Sequence, residues 1–295
     1  MKKKFIISMN FTYASHSGGA IDVAKNLIAG LRQVSADRLD VIHPKFKTDN
    51  RVFRVALRYL SDAMLCISSY FKKGTIVFPN YFFLPLPGSR CRKVVIVHDL
   101  MFKHYPQYVS WAKRLVLDTN YRWVKKYSDG VVFISRDSRD DFFQRYGEPK
   151  RHAVIYNPVV LQGASPDTIR TVGPKSAPYI ISNFHYYPHK NIEELLSTFS
   201  SINKEWPDIQ LIFTGNKPPQ FDSMIAGNAA AAQIHHLGFL PKEQVMALIR
   251  DAACFMSMSQ FEGFNMSAAE AALLGKPLVL SELPAHKELF SDCAV

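Results

Sequence analysis

The stretch Ala253-Cys254-Phe255-Met256-Ser257-Met258-Ser259-Gln260-Phe261-Glu262-Gly263-Phe264-Asn265-Met266-Ser267-Ala268-Ala269-Glu270-Ala271-Ala272-Leu273-Leu274 decides the fold. It opens on a short apolar run, Ala253–Ser257, of strand length. A polar loop around Gly263 follows, and then a run of helix formers from Met266 to Leu274. A strand without alternation is buried on both faces, which is the condition of a parallel sheet covered by helices. Glu270 is the only charge among the small apolar residues of that helix, so its surroundings are expected to be buried. A buried carboxylate is costly unless it is paired or hydrogen-bonded, and sugar or ribose hydroxyls can supply those bonds. Glu262 sits in the loop, where Gly263, Phe264 and Asn265 expose N–H groups at a helix N-terminus. One loop offers a carboxylate for hydroxyls and backbone donors for phosphate.

Outward from it the same unit recurs. Apolar β-branched runs lie at Phe5–Met9, Leu39–Ile42, Thr75–Phe78, Lys93–Val97, Val131–Ile134 and Ala153–Tyr156. Further runs lie at Tyr179–Ser182, Ile209–Phe213, Ile234–Leu237 and Pro277–Leu280. Helical patterns fall between many of them, at Ala20–Gln33, Arg51–Phe71, Trp111–Lys126, Asn191–Glu205 and Lys242–Arg250. Between Asn157 and Pro178 the pattern lapses into Pro158, Gly163, Pro166, Gly173 and Pro174, a linker in composition. The expectation is an α/β protein of two doubly wound domains, residues 1–160 and 179–295, joined by 161–178. In such folds ligands bind beyond the carboxyl ends of the strands.

Composition excludes other classes. With 47% hydrophobic and 21% charged residues in 295, the chain is neither disordered nor fibrous. No apolar run approaches the 18 or so residues of a membrane span. The start, Met1-Lys2-Lys3-Lys4-Phe5-Ile6-Ile7-Ser8, reads as a first strand rather than a secretion signal, because Ser8 and Asn10 interrupt it. Cys66, Cys91, Cys254 and Cys293 are widely spaced, which fits a reducing, cytoplasmic compartment. The net charge of +11 is uneven: residues 1–160 hold 27 Lys and Arg against 12 Asp and Glu, and the remainder 9 against 13. The first half is therefore attracted to something anionic, or is merely a soluble basic surface. Nucleic acid is the weaker partner, since no known binding module occurs.

Three further sites lie just after strands. Ser17-Gly18-Gly19 precedes a helix, where paired glycines either admit a phosphate or only make a turn. The strand ending at Val97 runs into His98-Asp99. His98 is either a ligand contact or a core histidine bonded to backbone, and Asp99 a cap of the next turn. After Tyr179–Ser182 comes Pro188-His189-Lys190-Asn191, with Asn191 and Glu194 spaced as a capping box. Lys190 then stands at a helix N-terminus, whose dipole repels it. Either an anion sits between them or the lysine is solvated.

The loop and helix around Glu262 and Glu270 resemble the E-x7-E motif of glycosyltransferase family 4, retaining enzymes of the GT-B fold. The likeness extends to Gly18-Gly19, His98-Asp99-Leu100, Ser135, Tyr156-Asn157-Pro158 and Pro188-His189-Lys190-Asn191. Thr214-Gly215, Leu237-Gly238-Phe239-Leu240, Gly275-Lys276-Pro277, Ser281 and Glu288 also match, so nearly the whole chain is covered. The His-Asp-Leu and Pro-x-Lys-Asn pieces are most similar to the bacterial mannosyltransferase-like branch that builds surface polysaccharides.

The resemblance implies two Rossmann-like domains facing across a cleft, and roles for residues. Glu262 binds donor-sugar hydroxyls, the backbone of Gly263, Phe264 and Asn265 holds sugar and diphosphate, and Glu270 accepts the ribose hydroxyls. Lys190 neutralises the departing phosphate, Gly19 approaches it from the other domain, and Phe239, beyond Gly215, receives the base. His98 sits by the reacting sugar. The implied reaction is metal-independent transfer of a hexose from a nucleoside diphosphate sugar to a saccharide or lipid-linked acceptor. No Asp-x-Asp pair stands out for a metal. A non-catalytic nucleotide-sugar-binding subunit is the alternative. Two departures motivate it. Phe184 stands where many members carry an arginine, so that His185 or His189 substitutes or phosphate binding is weaker. The chain also stops at Val295, before the family's last strand and helices, and reads as C-terminally short.

One helix pattern stands apart. Arg51, Arg54 and Arg58 line one side of the segment ending at Lys72-Lys73, with Val52, Phe53, Val55, Ala56, Leu57, Leu60 and Met64 beside them. It is either an amphipathic core helix with a solvated basic edge, or, with Lys2–Lys4, Lys113 and Lys125, a surface that rests on the anionic inner leaflet of a membrane.

Overall fold

A computed structural model of the chain describes residues 4–9, 19–43, 50–68, 70, 74–80, 90–161, 177–184 and 186–295. The chain divides into two compact units, Met1–Pro158 and Val159–Val295. Most of the linker expected at 161–178 lies outside the described residues.

The first unit holds β1 (Lys4–Ser8), β2 (Leu39–Ile42), β3 (Gly74–Phe78), β4 (Cys91–Val97), β5 (Gly130–Phe133) and β6 (His152–Val154). Its helices are α1 (Gly19–Ser35), α2 (Arg51–Ser68), α3 (Met101–His104), α4 (Trp111–Tyr127) and α5 (Arg136–Tyr146). The sheet runs β2-β1-β3-β4-β5-β6, every neighbouring pair parallel. The second unit holds β7 (Tyr179–Phe184), β8 (Gln210–Gly215), β9 (Ile234–His236), β10 (Cys254–Ser257) and β11 (Leu278–Leu280). Around them lie α6 (Ile192–Glu205), α7 (Phe221–Ala226), α8 (Lys242–Asp251), α9 (Met266–Leu273) and α10 (Pro284–Phe290). This sheet, also wholly parallel, runs β11-β10-β7-β8-β9. Both sheets are doubly wound, and each reverses direction beside its first strand.

The eleven expected strands and six expected helices are all present, with ends within three residues of the expectation. The reason is burial: Ile7, Ile76, Val95, Phe133, Ile181 and Phe213 are sealed from solvent, so the strands carry apolar runs. Helices α3, α5, α7 and α10 were not expected. The α5 sequence, Arg-Asp-Ser-Arg-Asp-Asp-Phe-Phe-Gln-Arg-Tyr, has too few apolar residues for a clear period. Its ends define it instead. Ser135 Oγ accepts from Ser138 N at its start, and Gly147 (φ 81°) ends it.

The capping box expected at Asn191 does not form. Asn191 is left-handed (φ 52°) and makes no side-chain cap, because it follows directly on a tight 3₁₀ turn, Pro188–Lys190.

Candidate functional site

In the second sheet the chain steps from β7 outward through β8 and β9, then crosses back to β10 on the other side. The loops leaving β7 and β10 diverge, and the crevice between them is where doubly wound folds take ligands. These are the two loops singled out in the sequence, and they bring Lys190 and Glu262 together. Lys190 Nζ lies 2.5 Å from Glu262 Oε1, with both side chains mostly buried. Ser259 Oγ donates to the same oxygen at 2.8 Å. The Gln260 amide donates to His189 O at 2.7 Å, fastening one loop to the other. Lys190 is thus held by a carboxylate rather than solvated.

His189 is buried, stacked on Tyr187 and edge-on to Phe261. Burial, with the Lys190 charge beside it, pushes its imidazole down to about 4. It stays neutral at ordinary pH and supplies no cation in place of the missing arginine. Phe184 packs edge-on against Phe213 in the core of the unit. His185 lies outside the described residues.

Burial likewise lowers His98 and His286. In the unfolded chain these imidazoles titrate near 6.5. Below that value the unfolded state binds more protons than the fold, so stability is lost as pH falls from about 6.5 towards 4. His189 alone is expected to contribute on the order of 2–3 kcal/mol of that loss. Melting temperature against pH measures it, and His189→Gln should flatten the slope. A level profile across this window contradicts the assignment.

Asn265 shapes the start of α9. Its left-handed backbone (φ 63°) turns the loop into the helix, and its Oδ1 accepts from Ala268 N. Its Nδ2 donates to Ser257 Oγ and to His286 Nε2, while His286 Nδ1–H donates to Ser281 O. Ser267 Oγ accepts from Asn183 of β7, which in turn accepts from Thr214 of β8. Gly263, Phe264 and Asn265 are all buried, so the loop is a fixed structure.

Glu270, one turn further along α9, is buried as expected at 3% exposure. Its partner was not anticipated: Lys242 Nζ pairs with Glu270 Oε1. Lys242 is the first residue of α8, after Pro241. A cation at a helix N-terminus opposes the dipole. That argument singled out Lys190, and applied to Lys242 it would have found this pair too.

The loops after β8 and β9 meet where Gly215 N donates to Gly238 O at 2.8 Å. Gly215 (φ 106°) must be glycine, since a Cβ there would stand 1.9 Å from Phe184 O. Phe239 follows Gly238 and is 74% exposed, an uncovered ring at the mouth of these loops.

In the first unit, Gly18 lies outside the described residues, and Gly19 is the exposed first residue of α1. His98 Nε2 bonds Pro79 O at 2.8 Å, so Nε2 carries the proton and Nδ1 is the acceptor. Ser138 Oγ donates to His98 O, placing the α5 start against the end of β4. Asp99 Oδ1 accepts from Met101 N and caps α3.

Two family models match the chain: Glycosyltransferase Family 4 over residues 75–162 and Glycosyl transferases group 1 over residues 168–294. A GDP-mannose:cellobiosyl-diphosphopolyprenol alpha-mannosyltransferase of Xanthomonas oryzae is 26% identical over 223 residues, 74% of this chain and 57% of that protein. O-antigen chain mannosyltransferase B of Escherichia coli is 22% identical, over 74% of this chain and 59% of its own. The chain thus spans less than three fifths of the length of these relatives. Among solved structures, Anabaena Alr3699/HepE in complex with UDP-glucose superposes with a TM-score of 0.69 at 16% identity, covering 97% of this chain and 82% of that one. WaaG, a glycosyltransferase involved in lipopolysaccharide biosynthesis, gives 0.70 at 13% identity, covering 99% and 85%. Both units are matched in sequence and in fold: the chain carries a Glycosyltransferase Family 4 domain and a glycosyl transferases group 1 domain on the GT-B fold.

Proposed function

We propose that this chain transfers a hexose from a nucleoside diphosphate sugar to a saccharide or lipid-linked acceptor, with retention at the anomeric carbon, in surface polysaccharide synthesis. The observation that carries the reading is the Lys190–Glu262 pair in the crevice between β7 and β10. Breaking the glycosyl–phosphate bond leaves its electron pair on the β-phosphate and a cationic sugar. Lys190 meets the growing phosphate charge, with the N-terminal amides of α9 as further donors. Glu262 binds sugar hydroxyls. The acceptor hydroxyl attacks from the face that the phosphate leaves, and its proton passes to the β-phosphate oxygen. Protein cations and amides carry the charge in this scheme, without a metal. His98, neutral and accepting through Nδ1, receives a hydroxyl of the reacting sugar. Glu270 takes the ribose and Phe239 the base.

The Xanthomonas oryzae relative, a GDP-mannose-dependent mannosyltransferase by name, makes GDP-mannose the first donor to try, and the UDP-glucose complex of Alr3699/HepE sets UDP-glucose beside it. Binding to the fold raises the melting temperature by mass action. GDP-mannose is expected to do so, and acceptor extracts should then show transfer. No shift with any nucleoside diphosphate sugar would end the proposal. A shift without turnover would favour the second reading, a nucleotide-sugar-binding subunit. Phe184, an apolar ring where many members have a cation, is the observation on that side.

A further inference from the structure

Of eighteen large apolar side chains that stay exposed among the described residues, nine lie on α2 and α4. The two helices are neighbours: Leu65 of α2 and Leu117, Tyr121 and Val124 of α4 enter one core, and Asn120 Nδ2 donates to Tyr59 OH. Along α2, Phe53, Leu60, Met64 and Ile67 recur at helical spacing as one stripe, opposite the buried Asp62. Trp111 and Leu115 stand one turn apart on α4. These six are between 54% and 73% exposed. The same helices already fill the core from their other sides.

Charge identifies what covers it. Helix α4 exposes Lys113, Arg114, Arg122, Lys125 and Lys126. Its one acid, Asp118, is already engaged by Lys103, Arg122 and Tyr146. An exposed apolar stripe beside cations matches the boundary between acyl chains and anionic headgroups. Trp111 at the end of α4 suits that interface. Two guanidinium nitrogens of Arg58 are buried, and the side chains of Arg51 and Arg54 lie outside the described residues. No described helix is long and apolar enough to cross a membrane. We propose that α2 and α4 together form a docking face for an anionic lipid bilayer.

Co-sedimentation with vesicles of phosphatidylcholine, with and without phosphatidylglycerol, tests this on the whole chain. Binding is expected only with the anionic lipid, and should fall steeply with salt. Neutralising Arg114, Lys125 and Lys126 to glutamine should weaken it roughly fivefold per cation. The pairs Leu60→Glu with Met64→Glu, and Trp111→Glu with Leu115→Glu, should abolish it with the melting temperature kept, since all four positions are exposed. Absence of binding to anionic vesicles at low salt overturns the proposal, as does equal binding to neutral ones or unchanged binding by the glutamate variants. A dimer that the same substitutions dissolve, in a protein that ignores vesicles, would assign the face to a second copy instead.

Discussion

Lys190→Ala and Glu262→Ala are each expected to lower kcat for sugar transfer by about 10²-fold or more, the loss of one preorganised electrostatic contact. Neither side chain fills the core, so both variants should fold. They should not be equally stable as the parent. The pair is mostly buried, and removing one member leaves the other charge without its counterion. Lys190→Ala leaves Glu262 with Ser259 Oγ, a neutral donor, and a cost of about 1–3 kcal/mol is expected. The double variant Lys190→Ala, Glu262→Gln removes both charges. It should recover part of the lost stability and none of the lost rate. This separates a catalytic pair from a structural one, because a structural pair would regain activity along with stability. Near-normal kcat in both single variants would end the assignment.

The fold was legible because its strands are buried on both faces and therefore written as uninterrupted apolar runs. That signal survives without knowledge of the partners. The candidate site was legible where a residue was out of keeping with its surroundings: Glu270 among alanines, and Lys190 against a helix dipole. Helix α5 was not legible, since its identity rests on Ser135 and Gly147 at its ends rather than on an apolar period. Partners were least legible of all. Sequence spacing says nothing of the crossover that sets β10 beside β7, and so could not show that Lys190 and Glu262 neutralise each other. It also left Lys190 with two readings that a single distance decides. The capping box failed for the converse reason: spacing fitted, but Asn191 follows directly on a tight 3₁₀ turn and its side chain makes no cap.

Glu270→Ala is expected to cut kcat/KM for the donor by about 10²-fold, almost wholly through KM, with kcat near normal. Hydrogen bonds to a charged acceptor contribute about 1.5–3 kcal/mol each, and a ribose offers hydroxyls for them. Such contacts hold ground state and transition state alike, so their loss raises KM. Lys242 tests the geometry behind this. It reaches Glu270 from the start of α8, where the helix dipole gives it no support. In the proposed site it holds the buried carboxylate in place and does not touch the sugar being transferred. Lys242→Met keeps the length and the apolar stem and removes only the charge. It should raise KM about tenfold, less than Glu270→Ala, and lower the melting temperature, since Glu270 is then buried without its cation. Lys242→Arg, which restores a cation, should return KM towards the parent's even where packing is imperfect. An unchanged KM with a collapsed kcat in Glu270→Ala would move that carboxylate from the ribose to the reacting sugar, and Lys242 with it.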